Sequence, residues 1–122
     1  MERAVEEQSK RRVVLVVDDE PSLCLLAAEL FTEAGCEVVS ASSGTEALAT
    51  LEERSDVSLL FTDCRMPLMS GTDLARTASE RWPNLRIVLS TGFQDRLLPE
   101  WPMVWKPYSV RTIERVVDRT FA

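Results

Sequence analysis

Three aspartates, a threonine and a lysine are the side chains best suited to chemistry here, and each follows an apolar run. Asp18 and Asp19 come after residues 13–17, Asp63 after 57–62, Thr91 after 85–90 and Lys106 after 103–105. Carboxylates brought together repel, since at an effective dielectric of about 20 two unit charges about 4 Å apart interact by roughly 4 kcal/mol. A divalent cation and one ammonium group would cancel the charge of three carboxylates. Oxygen ligands with room for water suit Mg²⁺, which favours one or two carboxylates plus a substrate phosphate. A carboxylate held beside such a cation and a lysine is a plausible phosphoryl acceptor. Aspartate is an established nucleophile for phosphoryl groups, and catalysis of that transfer is mostly positioning and charge neutralisation.

For these five residues to meet, the chain must place all the runs side by side and pointing the same way. Val13-Val14-Leu15-Val16-Val17 is β-branched and apolar throughout, and Leu59-Leu60-Phe61 is equally unbroken. Continuous short runs of this kind suit strands buried on both faces. Pro21 fits a first helical turn. Leu23, Leu26, Ala27, Leu30, Phe31 and Ala34 then form a helical stripe that Gly35 stops. A short strand over 36–39 and a helix carrying Ala47, Leu48 and Leu51, ending near Arg54, come next. After the Asp63 strand, a helix from about Gly71 presents Leu74, Ala75, Ala78 and Trp82. Strand 85–89, a weak stretch over 93–102, strand 103–105 and a helix marked by Val110, Ile113, Val117 and Phe121 complete the chain. Such alternation predicts an α/β domain, a parallel sheet with helices on both faces. Ligands of such sheets gather beyond the carboxyl ends of the strands, which makes Asp63 the lead residue.

The motifs Val16-Val17-Asp18-Asp19-Glu20-Pro21, Asp63-Cys64-Arg65-Met66-Pro67 followed by Gly71, Ser90-Thr91-Gly92 and Lys106-Pro107-Tyr108 resemble the receiver domain of bacterial two-component response regulators. The resemblance spans residues 13–121, with residues 1–12 as a tail ahead of a 13–122 domain. It implies a flavodoxin-like, doubly wound five-stranded sheet of order 2-1-3-4-5. It also implies that Asp63 accepts a phosphoryl group from a histidine kinase or histidine phosphotransfer protein. Asp18, Asp19, Asp63 and the backbone carbonyl of Arg65 would hold Mg²⁺. Thr91 would turn its hydroxyl onto the phosphate, Lys106 would pair with a phosphoryl oxygen, and the Lys106–Pro107 bond would be cis. Such a chain is a signalling switch, not an enzyme beyond its own phosphorylation and dephosphorylation, and passes its state on by protein contact or phosphorelay.

Two departures from the family stand out. The stretch between Thr91 and Lys106 is short, which predicts a reduced or irregular helix after the fourth strand. The family's usual switch aromatic, three residues before the lysine, is Met103 here. Phosphorylation is therefore expected to order or shift residues 93–101 instead. Phe93 and Arg65, two residues past Thr91 and Asp63, are expected to modulate loss of the phosphoryl group.

Composition narrows the alternatives. A net charge of −6 argues against nucleic acid as a direct partner. No apolar run nears the roughly 18 residues of a membrane span, and nothing reads as a signal peptide, so a cytoplasmic protein is expected. The three cysteines are read as reduced and mostly buried. The downstream partner and the oligomeric state are left open. Asp18 and Asp19 also read as helix caps, Thr91 as a turn residue and Lys106 as a solvated lysine. Among functions, a Mg²⁺-dependent phosphohydrolase and a receiver-like binding module that is never phosphorylated compete with the switch.

Overall fold

The computed structural model describes residues 11–92 and 100–121. Strand β1 (Val13–Val17) is buried at every residue, as its unbroken apolar run requires. Helix α1 (Pro21–Glu33) follows, then β2 (Glu37–Ala41), α2 (Gly44–Glu53), β3 (Leu59–Asp63) and α3 (Gly71–Arg81). Strands β4 (Arg86–Thr91) and β5 (Met103–Trp105) and helix α4 (Val110–Phe121) complete the described elements. The sheet is parallel throughout, in the order β2-β1-β3-β4-β5. The expected architecture is therefore present. The reduced helix expected after β4 falls on residues 93–99, outside the described residues, as do Phe93 and most of the tail.

Side-chain alternation along the strands divides the core in two. Val14, Val16, Phe61 and Val88 pack with Phe31 of α1 and Ile113 and Val117 of α4. Leu15, Val17, Leu60 and Leu89 pack with Leu51 of α2 and Leu74 of α3 on the other face. On the first face Phe31, Phe61 and Tyr108 meet edge to face, with centroids 5.0 and 5.4 Å apart. Truncating a buried phenylalanine such as Phe61 to alanine costs about 3–5 kcal/mol.

Helix ends explain where the chain turns. Ser43 and Ser70 each accept a backbone N–H three residues on, at Glu46 and Asp73, each bond 3.1 Å long. Caps of this kind contribute about 1 kcal/mol. Gly35, at φ 92°, ends α1 in a Schellman turn in which Cys36 donates to the Phe31 carbonyl and Gly35 to that of Thr32. The two arginines just ahead of β1 both find partners in the fold. Arg11 ion-pairs with Glu37 and Asp56, and Arg54 with the same two acids. The Arg12 guanidinium lies over the Phe121 ring.

Register decides what shares the carboxyl rim. Val17 sits opposite Thr62, Asp63 opposite Ser90, and Thr91 opposite Trp105. One residue further, Asp18 and Lys106 flank Asp63. The chain leaves β1 for β2 on one side and later enters β3 on the other, so the strand order reverses at β1 and β3. Open α/β sheets bind their ligands in the crevice such a reversal leaves.

Candidate functional site

Three short loops supply the site, each starting where a strand stops. Asp18 and Asp63 are buried and Asp19 is exposed. Asp18 does not cap α1. The N-cap residue is Glu20, which makes no side-chain cap bond, and its N–H donates to Asp18 Oδ1 over 2.9 Å. That local turn aims the other carboxylate oxygen, Oδ2, at Lys106. The Lys106 Nζ lies 3.4 Å from Asp18 Oδ2 and 3.1 Å from Asp63 Oδ1. Lys106 is thus not the solvated lysine that its type alone suggests.

Asp18, Asp19 and Asp63 can each offer one oxygen such that all three lie within 4.8 Å of one another. A converging set of carboxylate oxygens fits a hard divalent cation. The Arg65 N–H points to Asp63 Oδ1 at the long distance of 3.5 Å, and the Arg65 side chain is exposed. Thr91 is fully buried at the end of β4, and its hydroxyl donates to the Gly92 carbonyl over 3.0 Å. The Lys106–Pro107 bond is cis. Met103, which replaces the expected switch aromatic, packs against the α2–α3 face of the core, while Trp105 is about half exposed at 46%.

Burial raises the Asp63 carboxyl above its ordinary range; the Lys106 ammonium pulls it down and nearby Asp18 pushes it up. Burial alone would lower Lys106, but the hydrogen bond and charge of Asp63, with Asp18 behind them, hold it above its usual value. Because folded Asp63 grips its proton more tightly than the unfolded chain does, stability falls as pH rises through and above the ordinary carboxylate range. Asp63→Asn should therefore be more stable than the native protein at neutral pH in the presence of a chelator. Urea titrations at about pH 7 and about pH 4 measure this, and the gap should narrow at the lower pH, where more of the Asp63 carboxyl holds its proton. A gap that is absent at the higher pH, or unchanged at the lower, would count against the raised carboxyl.

Two residues stand in the sequence motifs but were given no role there. Tyr108, the chain's one tyrosine, is buried and donates a 2.7 Å hydrogen bond to Ser90 Oγ. Its place in the Lys106-Pro107-Tyr108 motif was the signal, and the partner of its hydroxyl was not foreseen. Gly71 lies so close to the Asp63 carbonyl that a Cβ there would sit 1.8 Å from the oxygen.

A parallel sheet of this order, with an acidic crevice and a paired lysine at its reversal point, defines a flavodoxin-like α/β domain with a cation-ready carboxylate site. More narrowly, the chain belongs to the response regulator receiver domain family, whose model matches residues 14–99. It is 40% identical over 83 residues to the response regulator receiver protein CpdR of Brucella abortus, covering 68% of each chain. It is 36% identical over 84 residues to the CAI-1 autoinducer sensor kinase/phosphatase CqsS of Vibrio cholerae, covering 66% of this chain and 12% of that protein. A crystal structure of a response regulator receiver domain protein from Clostridium thermocellum superposes with a TM-score of 0.83 at 26% identity, covering 90% of this chain and 94% of that one. Receiver domains are phosphorylation-dependent switches of two-component signalling, and this chain carries that function as a family member. Among the described residues, no helix is long and apolar enough to cross a membrane.

Proposed function

We propose that Asp63 is the phosphoacceptor of this switch and that residues 13–122 form the receiver unit behind a short tail. The observation carrying the proposal is the buried Asp63 carboxylate, 3.1 Å from Lys106 and within 4.8 Å of oxygens from Asp18 and Asp19. In the transfer, an Asp63 oxygen attacks phosphorus of a phosphohistidine on a histidine kinase or histidine phosphotransfer protein. The P–N bond breaks, and its electron pair leaves with the imidazole nitrogen. Lys106 holds a phosphoryl oxygen through the step and neutralises part of its charge. Asp18, Asp19, Asp63 and the Arg65 carbonyl would hold Mg²⁺, which supplies further positive charge against the phosphoryl oxygens. Thr91 then exchanges the Gly92 carbonyl for a phosphoryl oxygen. The acyl phosphate is later lost to water, restoring the carboxylate and releasing phosphate.

The output is contact with a downstream protein or onward phosphorelay, and the chain turns over no other substrate. Three free cysteines suit the reducing cytoplasm, where such kinases present their histidines. Incubation with acetyl phosphate and Mg²⁺ tests the proposal. One phosphoryl group should be gained per molecule, on Asp63, and EDTA should prevent it. Continuous phosphate release at enzyme-like turnover would indicate a phosphohydrolase. No adduct under any condition, with acetyl phosphate or beryllofluoride, would leave only a binding module.

A further inference from the structure

The two residues at the end of β4 hold the Lys106 segment at two points, which fixes where its flexible side chain starts relative to Asp63. Lys106 N–H donates to the Thr91 carbonyl over 2.9 Å. Two residues on, the Tyr108 hydroxyl donates to Ser90 Oγ over 2.7 Å, inside the protein. Lys106, Pro107 and Tyr108 are therefore closed into a small ring with Ser90 and Thr91. Ser90 is also tied to the acceptor strand, because its carbonyl accepts the Cys64 N–H over 3.0 Å and its Cα lies opposite Asp63. The ring of Tyr108 is itself fixed edge-on by Phe61.

Packing alone does not account for the hydroxyl. A phenylalanine would fill the same space without bringing a polar group into a buried site, where it is costly unless bonded. We infer that the Ser90–Tyr108 hydrogen bond is a positioning pair that sets Lys106 against Asp63, an inference that rests on the phosphoacceptor reading above. The pair touches no reacting atom; it determines where the lysine side chain starts.

The decisive variant is the double replacement Ser90→Ala with Tyr108→Phe. Removing both partners leaves neither a buried donor nor a buried acceptor unbonded, so stability should stay close to native. Each single variant should be less stable than the double one. If the bond positions Lys106, all three variants should take up phosphoryl from acetyl phosphate about tenfold more slowly than the native protein. The double variant should be no slower than the singles, since one interaction is lost once. The Lys106 ammonium resonance, read by NMR without any phosphoryl donor, should shift or broaden in the double variant. A double variant with native stability, native rate and an unchanged Lys106 resonance would overturn the inference. If the native protein formed no adduct with acetyl phosphate or beryllofluoride, the phosphoacceptor reading would fail by itself, and the Lys106 resonance would still decide the positioning role.

Discussion

Asp63→Asn should fold normally and fail to take up phosphoryl from any donor, with the rate falling by about a thousandfold or more. The amide has the carboxylate's shape, so the packing at the end of β3 survives. It is neutral, however, and its oxygen is a far weaker nucleophile than a carboxylate. The change also removes one of the three acidic groups that converge within 4.8 Å, leaving Asp18 and Asp19 to face any cation. Lys106 keeps its contact with Asp18 at 3.4 Å, so the lysine is not released along with the nucleophile. Mass spectrometry after incubation with acetyl phosphate and Mg²⁺ provides the check. The same variant is expected to gain stability without divalent ions, which separates loss of chemistry from loss of fold. A fully phosphorylated Asp63→Asn protein would place the acceptor elsewhere.

Gly71→Ala should be severely damaging for so small a change. A methyl at Gly71 would lie 1.8 Å from the Asp63 carbonyl oxygen and 2.7 Å from its carbon. Both are backbone atoms at the end of a central strand, and neither can swing aside as a flexible side chain would. The Gly71 N–H also donates to the Cys64 carbonyl over 2.9 Å, so the helix start cannot simply back away. We expect a loss of about 3 kcal/mol or more. What protein remains folded should phosphorylate poorly, because the clash falls on Asp63's own backbone. Gly35→Ala is the control: Gly35 sits at φ +92° with nothing within 4 Å of a new Cβ. It should lose only the conformational strain, about 1–2 kcal/mol. Urea midpoints of the two variants measure the difference, and equal losses would argue against the close approach at Gly71.

Much of this protein was legible in its residues. Unbroken runs such as residues 13–17 and 59–61 had to be strands covered on both sides, because their apolar side chains alternate onto two faces that both need burial. The stripes led by Leu23 and Leu74 had to be helices on those faces. The five site residues stood out because each closes a run, and a parallel sheet brings run ends to one rim. Local chemistry was therefore enough to name the elements and the acidic pocket. It also set the stops, as Gly35 does for α1.

Only the tertiary structure decided how the pieces lock. Asp18 and Asp19 are neighbours of one type, yet the turn at Glu20 buries the first against Lys106 and leaves the second exposed. Arg11 finds Glu37 and Asp56 across the fold, on segments far from it in the chain. The bond from Tyr108 to Ser90 spans 18 residues and depends on the register of β4 against β3 and β5. Periodicity and propensity are properties of neighbours along the chain, and they do not name a side chain's partner on another element. A partner that is distant in sequence is chosen by the packing of whole strands, where a slip of one residue would turn every side chain to the other face.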